Sequence, residues 1–264
     1  MIPSLTQAAL GVASGSVVGF SLGLVGGGGS ILAVPLLIYV VGVVDPHVAI
    51  GTSAIAVAAS ALANLLHHGR AGHVKWKCAL TFTAAGVAGA LLGSTVGKWV
   101  DGQKLLIAFA ILMLVVAGLM LQKRSSTGNR DVHINKANLP WLLGIGLGAG
   151  ALSGFFGIGG GFLIVPGLML ATGMPILNAV GSSLVGVTAF GLTTAANYAV
   201  SGLVDWLLAL LFVTGGAIGG VAGATAARTL AARTGGLLHI VFAILIVLVA
   251  IYMLVRTLGV VAAA

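Results

Sequence analysis

Long apolar runs separated by short polar breaks follow one another along almost the whole chain. Many approach 20 residues, the length at which an α-helix rising about 1.5 Å per residue crosses about 30 Å of hydrocarbon. The pattern predicts an all-α polytopic membrane protein with about 8–10 transmembrane segments. The predicted segments are 7–25, 31–43, 47–66, 77–98, 104–121, 140–156, 162–173, 176–200, 206–227 and 237–256.

The polar positions divide the chain into two parts. Residues 122–138 form its one convincingly hydrophilic stretch, and we interpret them as a linker that the positive-inside rule predicts to be cytoplasmic. This linker separates a first transmembrane repeat, 1–121, from a second, 139–264. In each repeat the second segment is short, so we expect segments 31–43 and 162–173 to be half-helices that either cross or fold back.

Glycines show that the two parts are homologous. A G-x3-G-x3-G pattern, a glycine cluster and Val-Pro run from Gly15 to Pro35 and recur 131 residues later, from Gly146 to Pro166. Further matches follow in the same order, which indicates a duplication. They are Gly51-Thr52-Ser53 with Gly181-Ser182-Ser183, Asn64 with Asn197, Trp76 with Trp206, and Gly86, Gly89 and Gly93 with Gly216, Gly219 and Gly223.

Charge counting orients the repeats. Five segments per half is an odd number, so the second half would be inverted relative to the first, with both termini outside. Nine Lys and Arg residues then lie on one side and three on the other, which places the main basic loops in the cytoplasm. Merging each broken pair into one crossing gives a parallel repeat with an eight-to-four division, and this arrangement remains the alternative.

Composition supports a membrane protein and argues against other classes. Hydrophobic residues make up 59% of the chain and charged residues 6%, far too few charges for a water-facing surface. The formal charge of +8 comes from residues in the breaks between apolar runs rather than from a basic stripe, so no nucleic-acid partner is expected. The partner that the composition implies is the lipid bilayer.

The glycine clusters are the first candidate site. Non-helical backbone at membrane depth is costly unless it lines a cavity, and a helix that starts there presents free N–H groups that favour an anion. The clusters consist of Gly26, Gly27, Gly28, Gly29 and Ser30, and of Gly157, Gly159, Gly160 and Gly161. The alternative is that these glycines only allow close helix packing, which is what we expect of Gly86, Gly89, Gly93 and their counterparts.

Polar residues inside apolar runs are the second candidate set, since they are costly there and mark pathways. We expect the two Asn side chains to donate to a single oxyanion from two sides, with the hydroxyls nearby. The alternative is that the hydroxyls bond their own helix carbonyls and the amides bridge helices. The residues are Thr52, Ser53, Asn64, Ser182, Ser183 and Asn197.

Enzymatic chemistry is not expected. The four acidic residues all fall at segment ends or in loops, so no carboxylate pair is available for acid–base catalysis. Cys78 is the single cysteine and no Cys/His cluster exists, so neither a metal site nor a cofactor is predicted. Several histidines lie near the interfaces, where a coupling role is the less favoured interpretation.

The repeated motifs resemble the sulfite exporter TauE/SafE family, also called the toluene-sulfonate uptake permease family. In the first half the elements that carry this resemblance read GSVVGFSLGLVGGGGSILAVP, IGTSA and AGHVKW. In the second half they read GLGAGALSGFFGIGGGFLIVP, VGSSL and SGLVDW. The halves differ where Gly27 stands opposite Ile158, which makes them inequivalent at the proposed site.

The resemblance implies a secondary transporter of a small sulfur-containing oxyanion, such as sulfite, thiosulfate or an organosulfonate, in the bacterial inner membrane. We expect the halves to rock about the glycine-lined site in alternating access. Alternatives are a carrier of another small anion or of a neutral solute, and a non-transporting membrane subunit. The sequence leaves open the preferred anion, the direction, the coupling ion, with a proton as one candidate, and a homodimeric assembly.

Overall fold

The structure is a computed structural model that describes residues 4–121, 134–135, 138–234 and 237–263. Most of the predicted linker, 122–138, lies outside the described residues. Within the described ranges every regular element is helical, which confirms the all-α prediction. The elements are α1 (Leu5–Val25), the 3₁₀ helix η1 (Gly26–Leu32), α2 (Ala33–Tyr39), α3 (Pro46–Arg70), α4 (Trp76–Gly97), α5 (Gly102–Leu121), α6 (Leu139–Phe156), α7 (Gly161–Thr172), α8 (Ile176–Val200), α9 (Trp206–Thr234) and α10 (Leu237–Ala263).

Length and composition make seven of these helices candidate membrane spans, namely α1, α3, α4, α5, α6, α8 and α9. Shorter apolar helical stretches cover Gly29–Tyr39, Gly161–Thr172 and Ala243–Gly259. The first two of these correspond to the segments that the sequence predicts to be half-helices. The protein is therefore an integral membrane protein in which one short helical segment follows the first long helix of each half.

Glycine and proline set the helix ends. Pro140 stands in the first turn of α6, where its missing N–H removes no intrahelical bond. That helix ends at Gly157 with φ +68°, a left-handed conformation that glycine adopts without steric cost. Gly160 and Gly173, with φ +68° and +70°, bracket α7 in the same way.

Glycine stripes hold two helix pairs in close contact, α1 with α9 and α4 with α6. A Cβ placed on Gly150 would overlap the carbonyl oxygen of Gly86, and one on Gly219 would overlap that of Ser16. Small residues let backbones approach this closely, and close packing drives helix association in lipid. The packing role expected for the glycines from Gly86 to Gly93 and their counterparts is confirmed.

The main helix contacts join one half of the chain to the other. The first helix of each half packs on the fourth helix of the other, and α3 packs on its counterpart α8. Gly51, near the start of α3, faces Tyr198, near the end of α8, whereas Gly191 faces Ala58. The two equivalent helices α3 and α8 therefore run antiparallel in the centre of the bundle.

Candidate functional site

The glycine cluster of the second half forms a turn inside the bundle. Gly157, Gly159 and Gly160 all have positive φ, and they reverse the chain between α6 and α7. Gly160 then lies against Ser153 and Gly167 against Ile145, so α7 returns along α6. The two helices form a hairpin with residues 157–160 at its tip.

The tip of this hairpin contacts the middle of the two central helices. A Cβ placed on Gly159 would be 2.7 Å from Val57 Cγ1 and 3.0 Å from Val187 Cγ1. These valines stand next to the midpoints of α3 and α8, the central antiparallel pair. Ile158, beside them, is fully buried. Gly159, within the turn of residues 157–160, therefore lies at mid-length of the two central helices.

The first turn of α7 presents its N–H groups in this buried region. The N–H groups of Leu163 and Ile164 both donate to Gly160 O, at 2.8 and 2.9 Å. Gly161 and Phe162 precede them, and N–H groups at the first helical positions have no carbonyl acceptor within their own helix. Both residues are buried. The helix dipole adds a partial positive charge at this end, so the geometry favours an anion.

The glycine cluster of the first half has a different backbone. Residues Gly26–Leu32 form the 3₁₀ helix η1, which leads directly into α2. Gly29 packs on Ser21 and Leu22 of α1, and Ser30 is fully buried. η1 also packs against α8 and against α7, the helix that begins at the second cluster. The local geometry of the two clusters, however, is not the same.

The predicted hydroxyl pairs make reciprocal bonds between the halves. The backbone N–H of Asp205, just before α9, donates to Thr52 Oγ1 at 3.0 Å. The N–H of Lys75, just before α4, donates to Ser182 Oγ at 2.9 Å. The third helix of each half therefore supplies a hydroxyl acceptor for a backbone N–H at the start of the fourth helix of the other half.

The neighbouring hydroxyls follow the alternative interpretation. Ser53 donates to Ile50 O at 2.9 Å, and Ser183 donates to Val180 O at 2.8 Å, both within their own helices. Ser53 Oγ also lies 3.4 Å from Gly157 O, which places it beside the turn of residues 157–160.

The two predicted amides do not meet. Asn64 donates to Ser60 O of its own helix at 3.0 Å. Asn197 donates to Ser94 Oγ at 2.6 Å and to Thr95 Oγ1 at 3.0 Å on α4. Because α3 and α8 are antiparallel, the amides lie about 20 Å apart along the helix axes. The expectation that both donate to one oxyanion is corrected by this geometry.

Lys98 makes polar contacts that the sequence analysis did not predict. Its Nζ donates to the backbone O and Oδ1 of Asn197, at 3.1 and 2.9 Å, and to Ser201 Oγ at 2.8 Å. These bonds join the end of α4 in the first half to the end of α8 in the second. In the sequence Lys98 looks like an ordinary loop cation. Its hydrogen bonds to Asn197 and Ser201 follow only from the packing of α4 against α8.

Ser153 is the second residue that sequence analysis missed. It is fully buried beside Gly160, and its Oγ has no hydrogen-bond partner among the residues that the structure describes. The polar candidates from the sequence recur in both halves. Ser153 does not, because its counterpart in the first half is Leu22. Its position four residues before the glycine cluster was the available signal.

Comparison with known proteins agrees with this architecture. The profile of the family described as Sulfite exporter TauE/SafE matches residues 11–253. A probable membrane transporter protein of Xylella fastidiosa (strain 9a5c) is 50% identical over 93% of this chain and 94% of its own. The probable membrane transporter protein YunE of Bacillus subtilis (strain 168) is 30% identical over 84% of this chain and 89% of its own. No solved structure matches the chain. The chain therefore belongs to the TauE/SafE family of membrane transporters.

Proposed function

We propose that the protein is a secondary transporter that carries a small sulfur-containing oxyanion across the bacterial inner membrane by alternating access. Sulfite, thiosulfate and organosulfonates are the candidate substrates. The observation that carries the proposal is the buried start of α7, where the turn of residues 157–160 lies against the midpoints of α3 and α8. A helix start at this depth offers an anion neutral donors and a partial positive charge.

The acidic residues of the described chain support an anion rather than a cation. Asp45, Asp101 and Asp205 all precede a helix, and each accepts a hydrogen bond from a backbone N–H at that helix start. These carboxylates are therefore engaged at helix ends, away from the turn of residues 157–160. Neutral donors at that turn would hold an oxyanion without a full counter-charge, so that it can also leave.

The antiparallel central pair supports an inverted repeat. A two-fold axis in the membrane plane reverses the direction of equivalent helices, whereas an axis along the membrane normal preserves it. The equivalent helices α3 and α8 run in opposite directions, and the first and fourth helices pair reciprocally between the halves. We infer that the halves are inverted, with the basic loop between α3 and α4 in the cytoplasm.

Cysteine labelling tests this topology. In a Cys78→Ala background, Ala71→Cys probes the loop after α3, and Val200→Cys probes the repeat-related end of α8. Both positions are exposed. A membrane-impermeant maleimide applied to spheroplasts is expected to label Val200→Cys, and to label Ala71→Cys only after lysis. Equal labelling of both positions from one side would favour the parallel repeat.

Alternating access needs contacts that close one face at a time. Lys98 and Asn197 tie α4 to α8 at the face that the inferred topology places outside. At the repeat-related position Asn64 donates to Ser60 O within α3, so among the described residues the two faces are held differently. We propose that the Lys98 contact closes the outer face while the substrate site opens inward.

Ligand-dependent stabilisation tests the substrate class. Purified protein is expected to melt at a higher temperature with sulfite, thiosulfate or sulfoacetate than with sulfate, chloride or sodium at equal ionic strength. At 100 times the dissociation constant the ligand contributes about 2.7 kcal/mol. Flux of the same anion into proteoliposomes, with and without a pH gradient, checks transport and a coupling proton. Stabilisation by sodium or a neutral solute alone would favour the alternative carriers.

A further inference from the structure

Ser153 is one of four serine or threonine hydroxyls in the candidate spanning helices that are buried without a hydrogen-bond partner among the described residues, the others being Ser14, Thr83 and Thr194. Buried hydroxyls there usually donate to a carbonyl one turn back, as Ser183 and Thr188 do at 2.8 Å each. Ser153 is 0% exposed, yet its Oγ has no hydrogen-bond partner in the described part of the chain. A buried hydroxyl in that state is destabilising, and such groups in native proteins call for an explanation.

The Ser153 side chain faces the start of α7. A Cβ placed on Gly160, the residue that precedes α7, would lie 2.8 Å from Ser153 Cβ and 3.0 Å from its Oγ. The same helix end presents the N–H groups of Gly161 and Phe162, which by their position lack an intrahelical acceptor. One hydroxyl donor and two backbone donors thus share one buried end of a helix.

The first half does not reproduce this arrangement. Leu22 stands at the position of Ser153, and it is 2% exposed and apolar. The glycines that follow Leu22 belong to η1, which continues into α2. They do not form a turn with positive φ. In the second half alone, the duplicated motif therefore combines a hydroxyl at the position of Ser153 with a positive-φ turn that leads into a helix start.

We infer that the oxyanion binds at the turn of residues 157–160 and that the Ser153 hydroxyl donates a hydrogen bond to one of its oxygens. The inference rests on the proposed function and names the half that holds the substrate. One anion binds per chain, and the first glycine cluster packs the bundle around it. Ser153 is a substrate-binding residue on this account, and its unpartnered hydroxyl is free to donate to the ligand.

The test compares Ser153→Ala with wild type in detergent by calorimetric titration of sulfite, thiosulfate and sulfoacetate. The ligand-free variant is expected to melt at the same or a higher temperature, because the hydroxyl has no protein partner to lose. The dissociation constant of the bound anion is expected to rise about 10- to 100-fold, as for one hydrogen bond to a charged group. Wild type is expected to bind one equivalent.

Thr188→Val is the matched control, since it removes a buried hydroxyl that bonds Leu184 O, and it should keep the wild-type affinity. Ser153→Cys, a weak donor of similar size, gives the same loss should the alanine variant not fold. If wild type binds an anion but Ser153→Ala keeps its affinity within about twofold, or if two equivalents bind, the inference is wrong and the proposed function stands. If wild type binds none of these anions, both are wrong.

Discussion

Replacing Gly150 with valine is expected to abolish the folded protein. A Cβ at this position of α6 would overlap Gly86 O and lie 2.6 Å from Gly86 Cα, which belongs to rigid helix backbone. The α4 and α6 backbones would have to separate along their whole contact, and the loss should exceed about 3 kcal/mol. The monodisperse fraction in size-exclusion chromatography and the melting temperature measure the effect.

Gly148→Val on the same helix is the matched control. Gly148 is exposed, and beyond the neighbouring residues and backbone of α6 no described heavy atom lies within 4 Å of a Cβ placed there. The valine adds no steric conflict, so the change in stability should stay within about 0.5 kcal/mol. Equal behaviour of the two variants would mean that the close α4–α6 contact does not hold the bundle together.

Asn197→Leu is expected to destabilise the protein by about 1.5–3 kcal/mol, the range for hydrogen bonds to a charged group. The substitution removes the Oδ1 acceptor of Lys98 and the amide donor to Ser94 and Thr95. Asn64→Leu at the repeat-related position loses only a bond to Ser60 O of its own helix, so it should cost less than about 1 kcal/mol. Thermal unfolding of both variants in one detergent makes the comparison.

A double-mutant cycle separates the Lys98 contact from general damage. Lys98→Met removes the charge that Asn197→Leu leaves short of acceptors, so the double variant should be more stable than the sum of the single losses predicts. A coupling of about 1 kcal/mol or more is expected. Strict additivity would show that the contact contributes nothing beyond its separate side chains.

The helix boundaries were largely predictable because glycine, proline and charge interrupt the apolar runs. The predicted segment 176–200 coincides with α8 (Ile176–Val200), which follows Pro175. The largest differences at a helix end are in α9 and α10, which continue to Thr234 and Ala263 rather than to 227 and 256, whereas α2 ends at Tyr39 rather than at 43. These differences are extensions or losses of about one or two turns at a helix end, where local sequence constrains the backbone least.

The site was less predictable, because its contacts depend on which helices meet. The sequence places Thr52 inside an apolar run, but it does not indicate that the Thr52 hydroxyl accepts a hydrogen bond from the N–H of Asp205 in the other half. The repeat also suggested that equivalent residues act together, which is not the case for Asn64 and Asn197 once α3 and α8 run antiparallel. The same emphasis on symmetry passed over Ser153, whose counterpart is apolar.

The reciprocal bonds of Thr52 and Ser182 have a consequence for biogenesis. The start of α4 is satisfied by a hydroxyl 107 residues downstream in the sequence, and that of α9 by one 153 residues upstream. When the ribosome has delivered the first half, α4 has neither its capping hydroxyl nor its packing partner α6. The bilayer must then hold these helices as separately inserted spans until translation is almost complete. If the halves arose by the duplication that the repeated motifs indicate, each half is incomplete as a folding unit.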